Sequence, residues 1–192
     1  MLIQLEAANA NYVRDWILSV AGQPSAAAFA GHLFESYAHR AICAGGVFAS
    51  RPLLPNGSGS EVPLSLPPST RFSFRDTSML GGLSAGQYAV PTIPNLTAGD
   101  SLALHSANTL FIFQCTVSSH HSLVAHGIEE LVAQFPSVTT VCVYFVVPDS
   151  VFAAWTKPQT YVTKSKGTPC VHLPACFKMV TQHVLCVSLA GK

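Results

Sequence analysis

Charge is what this chain has least of. Its 192 residues include ten Lys and Arg against nine Asp and Glu, a charged fraction of 10%, where soluble domains average about 25%. The net charge of +1 excludes the strongly basic surface that usually announces nucleic-acid binding. It also argues against disorder driven by charge repulsion, because 49% of the residues are hydrophobic and can bury a core. No run reaches the ~18 consecutive apolar residues of a membrane span, so no membrane association is expected. The first twenty residues carry Glu6, Arg14 and Asp15, so the apolar stretch of a secretory leader is missing. The phosphate loop GxxxxGK[ST] is missing too, which excludes a P-loop NTPase.

The few charges are unevenly placed. All five arginines fall between Arg14 and Arg75, all five lysines between Lys157 and Lys192, and Asp76 to Thr156 contains neither. A phosphate clamp must therefore come from the two ends of the chain, with Arg40, Lys164 and Lys166 as candidates. Six cysteines are scattered. Cys115 and Cys142 lie in apolar runs, where a free thiol acts as a small hydrophobe. Reduced thiols fit an intracellular protein, nuclear or cytoplasmic, in which the Asn95 sequon goes unused. Cys170, His172, Cys176, His183 and Cys186 lack the compact spacing of zinc sites. So sparsely charged a surface points to a protein partner, a missing companion domain or low solubility.

The length fits one domain over 1–192. Helical spacing of Leu5, Ala8, Tyr12, Trp16 and Val20 predicts a helix over 3–20, ended by Gly22 and Pro24. Ser25 is placed to cap a second helix over 26–43, whose apolar face includes Phe29, Leu33, Phe34 and Tyr37. Residues 44–70, rich in Gly, Pro and Ser, read as a long internal loop. Residues 71–76 read as a strand and Tyr88 to Pro91 as a short edge strand. A hairpin follows, with arms 100–104 and 110–117 turning about Ala107. A helix over 120–134, a buried strand over 140–147, a short helix over 150–155 and a last strand over 180–189 complete the α/β pattern.

In that hairpin register Asp100 lies opposite Gln114, Leu102 opposite Ile112 and Leu104 opposite Leu110. Side chains alternate with period two, so Asp100, Gln114 and Thr116 project from one face at one end. Oxygen ligands held there suit Mg2+, which takes one or two carboxylates and keeps several waters. Glu35, from the second helix, can add a carboxylate. His120, at the expected helix start, is placed to meet an anion on the backbone N–H groups and to act as donor or base. Each residue also has a plainer reading: Asp100 as a turn residue, Gln114 and Thr116 as a polar pair on a half-solvated strand, Glu35 as the i,i+4 partner of His39, and the segment before His120 as a cap by Ser119.

The stretches GHLFESYAH (31–39), PNLTAGDSLAL (94–104), LFIFQCTVSSHHSLVAHGIEEL (110–131), VYFVVP (143–148) and TQHVLCVSL (181–189) together resemble the C-terminal domain of Crinkler and retrotransposon-hot-spot proteins. The resemblance runs in order through most of the chain. It implies a restriction-endonuclease-like fold of the PD-(D/E)XK type, a central mixed β-sheet flanked by helices. It also implies metal-dependent DNA cleavage with Mg2+ or Mn2+ and action in a nucleus. By the same resemblance Glu35 matches the helix carboxylate, Asp100 the metal-binding aspartate and Gln114 the second acid. Thr116 stands where the catalytic lysine would be. The missing lysine implies either weakened cleavage or a module that has kept the fold for binding alone.

Overall fold

The computed structural model describes residues 15–17, 19, 20, 23, 26–92, 96–164 and 167–189. Residues 15–17 and Ser19 are helical; most of the expected first helix, Ser25, Asn95 and Lys166 lie outside the described residues. The second helix, α1, runs Ala27–Ala44. It is followed by β1 (Gly46–Leu54), β2 (Gly57–Ser58), β3 (Val62–Leu66), β4 (Thr70–Phe74), a 3-10 turn (Thr77–Gly82) and β5 (Gln87–Pro91). Then come β6 (Ser101–Ser106), β7 (Thr109–Cys115), β8 (Leu123–Val124), α2 (Ala125–Val132), β9 (Thr140–Val147) and α3 (Asp149–Phe152). The series closes with β10 (Tyr161–Val162), a 3-10 turn (Ala175–Met179) and β11 (Val180–Cys186). No described helix is long and apolar enough to cross a membrane.

Among the described residues one sheet of nine strands dominates, in the order β2-β1-β11-β9-β7-β6-β5-β4, with β3 beside β1. It is mixed. Strand β9 runs parallel to β7 and β11, while β6 is antiparallel to both β7 and β5. The α/β class expected from the sequence is thus correct. Strand β9 is buried on both faces: Val141, Val143 and Phe145 enter one core, Tyr144 and Val146 the other. This explains why its sequence is continuously apolar rather than alternating.

The stretch 44–70 is the main correction: it is a β-hairpin, not a loop. Strand β1 turns at Pro55-Asn56, since Leu54 pairs with Gly57, and returns as β2 and then β3. Prolines hid it. Pro63 lies on β3, where an edge strand can spare a donor. Pro52 sits where the returning strand breaks between β2 and β3.

Strands β3 and β4 lie at opposite ends of the sheet order, yet only residues 67–69 join them. Three residues reach roughly 14 Å at most, whereas eight strand positions laid flat span about 34 Å. The sheet must curl, and α1 fills the concavity. Its Phe34, Ala38 and Ile42 pack against Leu66 of β3, Tyr88 of β5, Phe113 of β7 and Leu185 of β11. The crossing runs under the end of α1, where Ser69 N–H donates to the Cys43 carbonyl at 2.9 Å. Gly45 has φ 73°, and a β-carbon there would lie 2.6 Å from Pro68 N and 2.7 Å from the Leu66 carbonyl oxygen. Only glycine fits.

Three further expectations change. Strand β5 is interior, between β4 and β6, rather than an edge. The last strand ends at Cys186. The expected helix over 120–134 shortens to Ala125–Val132 because tertiary hydrogen bonds capture the backbone before it. The Trp155 indole donates to the Ser118 carbonyl at 3.0 Å. His121 N–H donates to Gln159 Oε1 at 2.9 Å, and Leu123 N–H to the Thr160 carbonyl at 3.0 Å. His120 is therefore not at a helix start.

If the crossing sets the curl, Gly45→Ala should destabilise the fold by about 2 kcal/mol or more, through left-handed strain plus a backbone clash. Urea unfolding would read this, and an unchanged midpoint would contradict it.

Candidate metal-binding cavity

The expected hairpin register is present: Leu102 pairs with Ile112 and Leu104 with Leu110, with a bulge between Leu104 and Ser106. At its open end Asp100 N–H donates to the Phe113 carbonyl at 2.8 Å. Two glycines let the chain enter here. A β-carbon at Gly99 would lie 2.7 Å from Ile112 Cγ2, so the backbone passes directly against β7. A β-carbon at Gly127 of α2 would lie 2.6 Å from the Thr97 carbonyl carbon, so the helix clamps the segment leading to Asp100. Asp100 Oδ2 then accepts hydrogen bonds from Gln114 Nε2 at 2.7 Å and from Cys115 N–H at 2.6 Å. With the Gln114 nitrogen turned to the aspartate, its amide oxygen is left as an acceptor.

These two residues and Glu35 line one cavity of about 590 Å3, with His32, Thr97, His121 and Ser122 among the other wall residues. Burial pushes the Asp100 carboxyl up, the Glu35 charge adds to this, and the two N–H donors oppose it, leaving a pKa of about 7. Glu35 is held below the usual carboxylate range, chiefly by the His39 imidazole, while partial burial opposes and His32 adds a little. Burial lowers His121, and His120 adds to the effect, so His121 is neutral near pH 7 and can accept a proton.

A buried polar chain connects Glu35 to β6. His39 Nε2 lies 3.5 Å from Glu35 Oε1, near enough for attraction but not aligned as a hydrogen bond. His39 Nδ1 meets Tyr88 Oη at 2.9 Å, and Tyr88 Oη meets Ser101 Oγ at 2.5 Å. All three side chains are buried. Burial raises the Tyr88 pKa well above its ordinary value, so its hydroxyl keeps its proton. The assignment that satisfies the chain has Ser101 donating to Tyr88 and Tyr88 to Nδ1, with the ring proton on Nε2 facing Glu35.

The structure thus brings Glu35, Asp100 and Gln114 to one cavity and leaves two expected residues out of its wall. Thr116 is only 8% exposed, and its hydroxyl accepts the Ser118 N–H at 3.1 Å. His120 is exposed beside the cavity, because the loop rather than a helix turn sets its direction. His121, its neighbour, faces in. The signal that could have found it is weak, since which of two adjacent histidines lines the cavity is decided by the local backbone. Among the described residues no three His, Cys, Asp or Glu side chains form a metal cluster. The donor set is two carboxylates and an amide oxygen, a hard-oxygen set that suits Mg2+ or Mn2+ rather than zinc.

The Asp100 shift carries a stability cost. A carboxyl whose folded pKa is raised from about 4 to about 7 stabilises the fold fully below pH 4 and loses that contribution as pH rises through 7. Metal-free Asp100→Asn should therefore be more stable than the parent at pH 8, on the order of 2 kcal/mol, with the gap closing at pH 4. Thermal unfolding at the two pH values would check this; a gap larger at pH 4 would contradict it. No family model, no curated protein and no solved structure matches the chain.

Proposed function

We propose that the chain is a metal-dependent nuclease-type domain that hydrolyses DNA phosphodiesters with Mg2+ or Mn2+, of the restriction-endonuclease-like kind that the Crinkler resemblance implies. The observation that carries this reading is the meeting of Glu35, Asp100 and Gln114 in one open, polar cavity. A carboxylate such as Asp100, disfavoured in its charged form by burial and by the nearby Glu35, is what a divalent cation relieves. Such an ion, when bound, supplies charge to the scissile phosphate and lowers the pKa of a bound water.

The chain's own groups have distinct parts. Asp100, the Gln114 oxygen and Glu35 would hold the ion, with His39, Tyr88 and Ser101 fixing the direction of Glu35. Neutral His121 is placed to take a proton, a task that the residue at the lysine position, Thr116, cannot do. Nuclear action follows the same resemblance.

A second reading is a nuclease fold that has lost catalysis and binds nucleic acid or a protein. One observation favours it: the described wall of the cavity includes no Lys or Arg. Lys164 is exposed outside that wall.

Supercoiled plasmid with Mn2+ should be nicked by the wild type, and Asp100→Ala should lower the rate by roughly 100-fold. Equal rates would refute the assigned site. Calorimetric Mn2+ binding without any cleavage would leave the second reading. Both affinity and cleavage should fall as pH drops below about 7, up to about tenfold per unit, because protons compete for Asp100. Activity unchanged between pH 8 and pH 5.5 would remove Asp100 from the ligand set.

A further inference from the structure

A second cleft adjoins the first along α1. Ser36, His39, Arg40 and Cys43 of α1 line it, with Ser69 and Arg71 on the facing segment and Val90 closing the end, around about 460 Å3. Residues 36, 39, 40 and 43 share one helical face. The 67–69 crossing brings Ser69 and Arg71 opposite that face. His39 is the common wall, because it lines this cleft while its ring approaches Glu35 of the first cavity.

We propose that this cleft binds a phosphoryl oxyanion, with the Arg40 and Arg71 guanidiniums as the charged donors and the Ser36 and Ser69 hydroxyls as neutral ones. Three observations point to an anion. The described wall carries two arginines and no carboxylate. Its thiol, Cys43, is pushed up in pKa by burial and so adds no negative charge. The hydroxyls of the wall, Ser36 and Ser69, bear hydrogens that an oxyanion can accept. Planar guanidinium groups match phosphate oxygens in pairs. The cleft lies toward the C-terminal half of α1, where the helix dipole opposes an anion, so the guanidiniums must carry the binding.

The inference extends the nuclease reading without requiring it. Glu35 and Arg40 are five residues apart, about 7.5 Å along the helix axis. The two cavities therefore follow one another along α1, within reach of a single nucleic-acid strand.

The test uses the full chain, calorimetry with inorganic phosphate, and fluorescence titration with a labelled hexathymidylate. Arg40→Gln and Arg71→Gln should each weaken both ligands at least tenfold. Arg75→Gln, one residue past the end of β4 and outside the cleft, should change neither by more than twofold, with thermal unfolding confirming that all variants fold. Weakening of phosphate alone assigns the cleft to free phosphate; weakening of both assigns it to the strand; either supports the proposal. No phosphate binding by the wild type at about 10 mM, the upper end of weak anion binding, or unchanged phosphate affinity in Arg71→Gln, overturns it. Asp100→Asn separates the two readings: phosphate binding that survives in it, with plasmid nicking lost, supports both, and phosphate binding unchanged in Arg71→Gln, with wild-type nicking intact, removes the cleft alone.

Discussion

The arrangement depends on a chain-length constraint: three residues must join strands from opposite ends of the sheet order. That short crossing forces the sheet to curl, and the curl gives α1 a concave bed. Glu35 can reach the end of β6 and β7 only because the helix lies inside that bed. The crossing also sets Ser69 and Arg71 against α1, so both cavities follow from one connection. Gly45, where a side chain would meet the passing backbone, is the residue that allows it.

Within this frame the energetics of the cavity run against folding. A carboxylate drawn into a partly buried site near a second one loses hydration and gains repulsion. The fold tolerates this because Asp100 is tied to Cys115 N–H and Gln114, and because the segment before it is packed against β7 at Gly99 and against α2 at Gly127. Glu35 is restrained differently, through His39 and a buried hydroxyl pair. Asp100, held in place by its own scaffold, cannot withdraw from burial, and its penalty remains until a proton or a cation arrives. Destabilising electrostatics kept in this way are usual where a site has a chemical task.

Much of the local structure was legible. The hairpin register could be read because Leu102, Leu104, Leu110 and Ile112 alternate around a two-residue turn, and period two leaves little freedom once one face is buried. Strand β9 could be read from its unbroken apolar run. The hairpin of 46–66 could not, because prolines at an edge and at a break in pairing look like loop residues until the neighbouring strands are known. Helix α2 was overestimated for the opposite reason: local propensity favoured a longer helix, and hydrogen bonds from Trp155, Gln159 and Thr160 decided otherwise.

By itself the sequence determined that Asp100 and Gln114 stand side by side, since strand alternation and a tight turn are local geometry. It also determined that Glu35 shares an α1 turn with His39. Only the tertiary structure decided that those two local facts meet in one cavity, that His121 rather than His120 faces it, and that Thr116 turns away. The physical reason is range. Alternation and helical spacing act over a few residues, whereas the curl that joins α1 to the hairpin is set by contacts between segments far apart in the chain.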